Sequence, residues 1–164
     1  MSTMTRLNDQ PRQIWHAGFI VDDVEEAKAE LSAGIGLSWL PTHDVDSEVY
    51  GPGDTTYRIT SQIAFSSDFP LAIELLQANP GTPNVRRGQS AFHHLGYWSD
   101  DLVAEDERLT ALGYPCIYYR DDPKNGLRRI MLSEGPYGII LESCHVLTER
   151  AGLEHFYPNL EAFK

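Results

Sequence analysis

The chain has 164 residues, 41% hydrophobic and 23% charged, enough for one compact domain or for two small fused halves. A formal net charge of −11 repels phosphate backbones and anionic lipids, so nucleic-acid and membrane partners are disfavoured, and no apolar run is long enough to cross a bilayer. Met1 to Arg12 lacks an apolar signal core, and Cys116 and Cys144 form no CxxC pair, so a cytoplasmic protein with reduced, packed cysteines is expected.

In chain order, Gln13 to Val21 is a strand rich in bulky apolar residues. Asp22 or Asp23 caps a helix in which Val24, Ala27 and Leu31 share a face, with Glu25 or Glu26 completing a capping box. Pro41 to Thr56, rich in Asp, Pro and Gly, reads as an insertion that holds one weak strand, Glu48 to Tyr50. Strands follow at Tyr57 to Phe65 and Leu71 to Gln77, and then a Pro/Gly-rich linker. The second half repeats the order. A strand from Phe92 to Ser99 leads to caps at Asp100 or Asp101, and then to a helix bearing Leu102, Leu109 and Leu112 that ends at Gly113 and Pro115. Strands at Cys116 to Tyr119, Arg128 to Leu132 and Gly138 to Cys144 complete it, the first two joined through an Asn125-Gly126 turn.

The repetition extends to single residues. His16, Gly18, Asp22 and Asp23 recur as His94, Gly96, Asp100 and Asp101 at a constant offset of 78. Glu74 recurs as Glu142 at an offset of 68, so the first half carries about ten extra residues between its His and its Glu. The chain therefore divides into module 1 (about 13–78), a linker (79–91), module 2 (about 92–147) and a C-terminal extension (148–164), expected to be a helix or an arm over a partner or the pocket mouth. The fold class is α+β: two tandem βαβββ modules forming one curved mixed sheet around a metal-centred cavity.

Four residues stand out. Glu74 and Glu142 each interrupt an apolar strand, where an ionised carboxylate is costly unless something pairs with it. A single strand His or Glu is usually structural, but matched His and Glu positions in both halves are not a chance pattern. If the modules pair about a pseudo-twofold axis, His16, Glu74, His94 and Glu142 converge, and a divalent metal neutralises the carboxylates while using the imidazole lone pairs. Two N and two O ligands suit Zn, Ni, Co, Mn or Fe(II) better than Mg or Ca. His93 is the obvious rival of His94, but the alignment with His16 selects His94. His43, His145 and His155 have no repeat partner and are read as surface or structural. Trp98 is expected to share the concave face with His94. Arg86, Arg87 or Arg128 could hold one anion despite the acidic surface.

The segment from Phe92 through His93, His94, Leu95, Gly96 and Tyr97 to Leu102, with Leu112-Gly-Tyr-Pro115, resembles the second module of methylmalonyl-CoA epimerase and its glyoxalase-like relatives. Ile73-Glu-Leu-Leu-Gln77 followed by Pro80-Gly-Thr-Pro83 resembles the same branch, and the likeness to the vicinal oxygen chelate superfamily runs from Gln13 to about Leu147. That superfamily includes glyoxalase I, extradiol dioxygenases and the fosfomycin and bleomycin resistance proteins. The resemblance implies a small substrate with vicinal oxygens or a thioester, a homodimer, and a proton abstraction beside a metal-bound carbonyl. It implies Glu142 as the base. Glu74 is the second proton carrier if the chemistry is glyoxalase-like, and Glu48 if it is epimerase-like. From the residues alone, Arg58, Arg128 or Tyr118 could hold a carboxylate or polar tail, and nothing in the sequence singles one out. A metal-dependent isomerase, epimerase or lyase is thus expected. The alternatives are a metal-free binding or resistance protein and an extradiol-type dioxygenase. Glyoxalase I carries Glu at the position of Glu74, where the epimerases carry Gln.

Overall fold

The computed structural model describes residues 7–68, 70–147 and 153–156. Eight strands form one closed mixed barrel. They are β1 (Ile14–Val21), β2 (His43–Tyr50), β3 (Thr56–Phe65), β4 (Ala72–Gln77), β5 (Phe92–Ser99), β6 (Cys116–Asp121), β7 (Arg128–Ser133) and β8 (Ile140–His145). Their order round the barrel is β1-β4-β3-β2-β6-β7-β8-β5. Within each module the first strand pairs in parallel with the last, β1 with β4 and β5 with β8. The modules join antiparallel through β1 and β5, and at the far side Tyr50 of β2 meets Tyr119 of β6. Both βαβββ modules therefore pair within one chain.

The helices form where the caps dictate. Asp23 accepts from the Glu26 amide at 2.8 Å to start α1 (Val24–Ile35), which closes at Gly36 in the left-handed region. Asp101 does the same for α2 (Leu102–Ala111) through the Ala104 amide at 3.0 Å. Leu102 and Leu109 bury against Met131, while Val24 packs with Ala64 and Leu75. No described helix is long and apolar enough to cross a membrane.

The weak strand expected at Glu48 to Tyr50 is a full eight-residue strand, His43–Tyr50. Its alternation was present but carried by poor strand formers: Val45, Ser47 and Val49 line the cavity, and Asp44, Asp46 and Glu48 are exposed on the other side. Nor do the ten extra residues form an inserted loop at Pro41 to Thr56. They are spread out: α1 has 12 residues against 10 in α2, β2 has 8 against 6 in β6, β3 has 10 against 6 in β7, and the connection 36–42 is longer than its counterpart 112–115.

The largest core cluster is aromatic. Trp15 and Trp98 stack at 4.5 Å with planes 8° apart, and Phe65 and Phe156 pack on Trp15. Each fully buried Trp stabilises the fold by up to about 5 kcal/mol through area removed from water. Trp98, expected on the concave face, is 0% exposed and is not among the residues lining the cavity; its indole N–H donates to Phe156 O at 2.9 Å. Of the C-terminal extension, the described turn Glu154–Phe156 caps this stack; the rest of the expected arm lies outside the described residues. Neither Cys116 nor Cys144 is in a disulfide; Cys144 is buried and Cys116 half-buried.

Candidate metal centre

The β1–β5 register sets the site. His16 lies opposite Gly96, and Gly18 lies opposite His94. On their other sides, Gly18 neighbours Glu74 of β4 and Gly96 neighbours Glu142 of β8. Each module's glycine thus sits between its own Glu and the other module's His. A Cβ on either glycine would overlap the facing imidazole. The His-x-Gly repeat is therefore a packing requirement: with no side chain on the glycine, the opposite ring can lie flat across its Cα.

The four expected ligands come together. His16 Nε2 is 2.9 Å from His94 Nε2, 2.8 Å from Glu142 Oε2 and 3.5 Å from Glu74 Oε2. His94 Nε2 is 2.9 Å from Glu74 Oε2 and 3.3 Å from Glu142 Oε2. The donor atoms of all four lie within 4.8 Å of one another, and none of the residues is more than 7% exposed. Hydrogen bonding alone does not satisfy this arrangement. Glu74 Oε2 is buried without an aligned partner, and two facing Nε2 atoms can share at most one proton. A divalent ion fits, since donors of a tetrahedral site with bonds of about 2.0–2.1 Å lie about 3.4 Å apart.

The titration pattern reflects the crowding. Burial alone would push His94 down, but attraction to Glu142 and Glu74 outweighs it and raises the metal-free imidazole to about 10. Burial likewise opposes the charge on Glu142, yet His94 and His16 hold it well below the usual carboxylate range.

His93, the rival set aside, lies directly behind His94. Its Nδ1 is 3.0 Å from His94 Nδ1 and its Nε2 is 3.2 Å from Pro83 O. Burial, then the His94 charge, lower His93 to about 4, so it is neutral. Its Nε2–H donates to Pro83 O, which leaves Nδ1 to accept from His94 Nδ1–H and directs the His94 Nε2 lone pair at the cluster. His16 has no such partner; its Nδ1 is buried and unpaired.

A cavity of about 90 Å³ opens on Glu74 and Glu142 inside the barrel. Tyr118, 3% exposed, donates its hydroxyl to Asn84 Oδ1 at 2.9 Å, and both side chains line this cavity. Asn84 and Pro83 belong to the linker, which was expected only to join the modules; an Asn in a Pro/Gly-rich stretch gives no signal of a site. Glu48 is not brought to the cluster. It is exposed on β2, where it accepts from Tyr50 OH at 3.1 Å, and lines only an outer basin.

The arginines singled out from the sequence are engaged elsewhere. Arg58 pairs with Asp46, Arg87 with Glu134 and Arg86 with Asp22. Arg128 pairs with Asp106 and lies over the Tyr119 ring. The cavity is instead lined by Arg120 and Arg129, which carried no motif. His43 also lines it, from an exposed position.

Residues 15–130 match a family profile described as the Glyoxalase/Bleomycin resistance protein/Dioxygenase superfamily. No curated protein matches in sequence. Among solved structures, a hypothetical protein from Bacillus halodurans matches with a TM-score of 0.58 at 17% identity, over 83% of this chain and 95% of its own. Methylmalonyl-CoA epimerase from Mycobacterium tuberculosis matches with a TM-score of 0.53 at 16% identity, over 88% and 92%. A mutant 4-hydroxymandelate synthase from Streptomyces coelicolor matches with a TM-score of 0.57 at 20% identity, over 82% of this chain and 38% of its own. At these identities the likeness is one of fold.

Proposed function

Because the chain belongs to the glyoxalase/bleomycin resistance protein/dioxygenase superfamily, we propose that it is a metal-dependent isomerase, epimerase or lyase that removes a proton next to a carbonyl. One observation carries this reading: two imidazoles and two carboxylates from four strands converge on a buried point at the floor of a cavity. His16, Glu74, His94 and Glu142 would hold the ion. When bound, it would act as a Lewis acid toward a substrate carbonyl and favour negative charge developing on its oxygen.

The chain's own residues supply the rest. Glu142 lines the cavity and would be the base, its carboxylate held in the ionised form by His94 and His16. Glu74, also lining the cavity, is the second proton carrier. Glu48 is too far out on β2 for that role, which favours the glyoxalase-like pair of carboxylates over the epimerase-like one. With its Oδ1 taken by Tyr118, Asn84 offers its NH2 to a substrate oxygen. Burial raises Tyr118, so its phenol stays neutral and keeps donating to Asn84. Apolar walls, among them Val49, Ile59 and Leu76, keep water from the proton being moved.

The test is elemental analysis of protein purified without a metal-affinity tag, beside a His16→Ala/Glu142→Ala variant. One equivalent of metal that disappears in the variant supports the reading, and solvent-deuterium incorporation at a substrate α-carbon would establish the chemistry. Absence of metal after reconstitution with Ni, Co, Zn or Mn would leave a metal-free binding protein of the same fold.

A further inference from the structure

The sheet neighbours of the two cluster carboxylates are apolar. In module 1, Glu74 pairs across to Phe65, and one pleat along Leu76 pairs with Ile63. In module 2, Glu142 pairs with Leu132, and one pleat along Cys144 pairs with Ile130. Residues two apart on a strand, and residues directly opposite on its neighbour, share a face, so all of these point the way the carboxylates do. Phe65, Ile63, Leu76, Ile130 and Cys144 line the cavity, and Leu132 is buried. Cys144 packs as a small hydrophobe, its thiol turned to Glu142 Oε2 at 3.6 Å. The duplication thus places an apolar collar beside each carboxylate: Leu76 and Cys144 are related by the same offset of 68 as Glu74 and Glu142.

The other polar groups of the cavity stand outside this collar. His43 pairs with Ile63, two strands over from Leu76, and is exposed at the mouth. Asn84 comes from the linker and is bonded to Tyr118. Arg120 pairs with Ile130, two strands over from Cys144. Arg120 and Arg129 each have a partner within the chain, Arg120 among others Ser47 Oγ at 3.3 Å. A charged group carried into the collar would therefore lose its water and gain no counter-charge there.

The cavity is also short. Its volume of about 90 Å³ holds about three waters, whereas an apolar cavity that admits a benzene ring measures about 150 Å³. With two substrate oxygens turned to the cluster, the remaining room suits a few carbons and no aromatic ring.

Building on the proposed metal site, we infer that the substrate carries its vicinal oxygens on a short, uncharged aliphatic arm, which packs in the collar formed by Phe65, Ile63, Leu76, Ile130 and Cys144. The substrate class is then a small aliphatic hydroxycarbonyl or dicarbonyl compound whose reacting end bears no carboxylate.

Hydroxamates test this, because each presents the same two vicinal oxygens to a metal and they differ only in the arm. Four are titrated onto the cobalt-loaded full-length chain. Acetohydroxamate reads chelation alone, and 3-methylbutanohydroxamate adds the aliphatic arm. Malonomonohydroxamate has the same number of heavy atoms, with a carboxylate in place of the isopropyl group, and benzohydroxamate carries a ring. The expected result is that 3-methylbutanohydroxamate binds at least about tenfold tighter than each of the other three. Ile63→Ala should cut its advantage over acetohydroxamate at least about threefold and strengthen benzohydroxamate by a similar factor. If that variant does not fold, the ranking on the parent chain decides alone. Malonomonohydroxamate or benzohydroxamate binding as tightly as 3-methylbutanohydroxamate, or an aliphatic arm that adds nothing to acetohydroxamate, would overturn the inference while leaving the metal reading intact. So would bound cobalt whose visible absorption no hydroxamate alters. Cobalt uptake is read first from that absorption, and a chain that takes up no cobalt overturns the metal reading and the inference with it.

Discussion

Gly96 stands directly opposite His16 across the β1–β5 seam, and any Cβ on it would occupy the space of the His16 ring. The same holds for Gly18 and His94. The two modules are locked together at this seam, and the lock is also what brings the ligands within reach of each other. Gly96→Ala should therefore displace His16, lower metal affinity at least 100-fold, and destabilise the fold by about 3 kcal/mol through overpacking. Gly34→Ala is the control: Gly34 sits inside α1 with no atom within 4 Å of an added Cβ, so alanine there should stabilise by about 0.5–1 kcal/mol. Metal content and urea midpoints of both variants decide the matter; a Gly96→Ala protein with normal metal content would show that the seam does not set the site.

His93 acts on the cluster only through His94. Its Nδ1 must accept a hydrogen bond for the His94 lone pair to stay aimed at the other ligands. His93→Leu should weaken metal binding about 10- to 100-fold. His93→Asn keeps an acceptor at nearly the same place and should recover most of that loss. Equal affinities for the two variants, measured by competition with a chelator, would reduce His93 to a packing residue.

The four clustered residues were legible in the sequence because a duplication writes His and Glu twice, and strand alternation then states which face they share. What was not legible depends on how strands meet. Arg129 lines the cavity beside a register shift, in which Arg120 pairs with Ile130 but Asp121 with Arg128, and no local pattern announces such a bulge. Asn84 and Pro83 reach the site because the linker folds back across it, so their role follows from closure of the barrel. The strand His43–Tyr50 was underestimated because three of its four outward residues are Asp, Asp and Glu, which local propensity counts against a strand although they face water here. Trp98 obeys the alternation with His94, yet the C-terminal turn and Trp15 cover it.

Proton and metal compete for the same lone pair on His94. Its metal-free imidazole is raised to about 10 because the attraction of Glu142 and Glu74 exceeds the burial penalty. Metal binding at pH 8 should therefore release about one proton per ion, and apparent affinity should rise up to tenfold for each pH unit between 6 and 9. For the metal-free fold the sign is reversed. A raised folded pKa contributes stability that is fully present below about 6.5 and is lost as pH climbs through about 10. Zinc titrations in two buffers of different ionisation enthalpy count the protons; a value of zero at pH 8 would mean that His94 is already neutral.

Glu105 provides a test of stability remote from the cluster. Its carboxylate is fully buried on α2, yet it is clamped by Arg12 at 2.6 Å, Arg108 at 2.7 Å and the Tyr97 hydroxyl at 2.8 Å. Burial pushes it up, but the hydrogen bonds from Arg108, Arg12 and Tyr97 prevail and hold it at about 2. A depressed folded pKa stabilises above the unfolded value near 4.5 and loses that contribution as pH falls through about 2. Glu105→Gln removes the charge, strands two guanidiniums beside a buried amide, and should cost about 2–3 kcal/mol at pH 7. At pH 2 the gap between variant and parent should shrink to less than half, because the parent has by then begun to protonate. Because this network touches none of the four ligands, metal affinity at pH 7 should stay within about twofold of the parent. Chemical denaturation of the two proteins at both pH values tests this, and a gap that persists unchanged at pH 2 would place the loss in packing rather than in the charge.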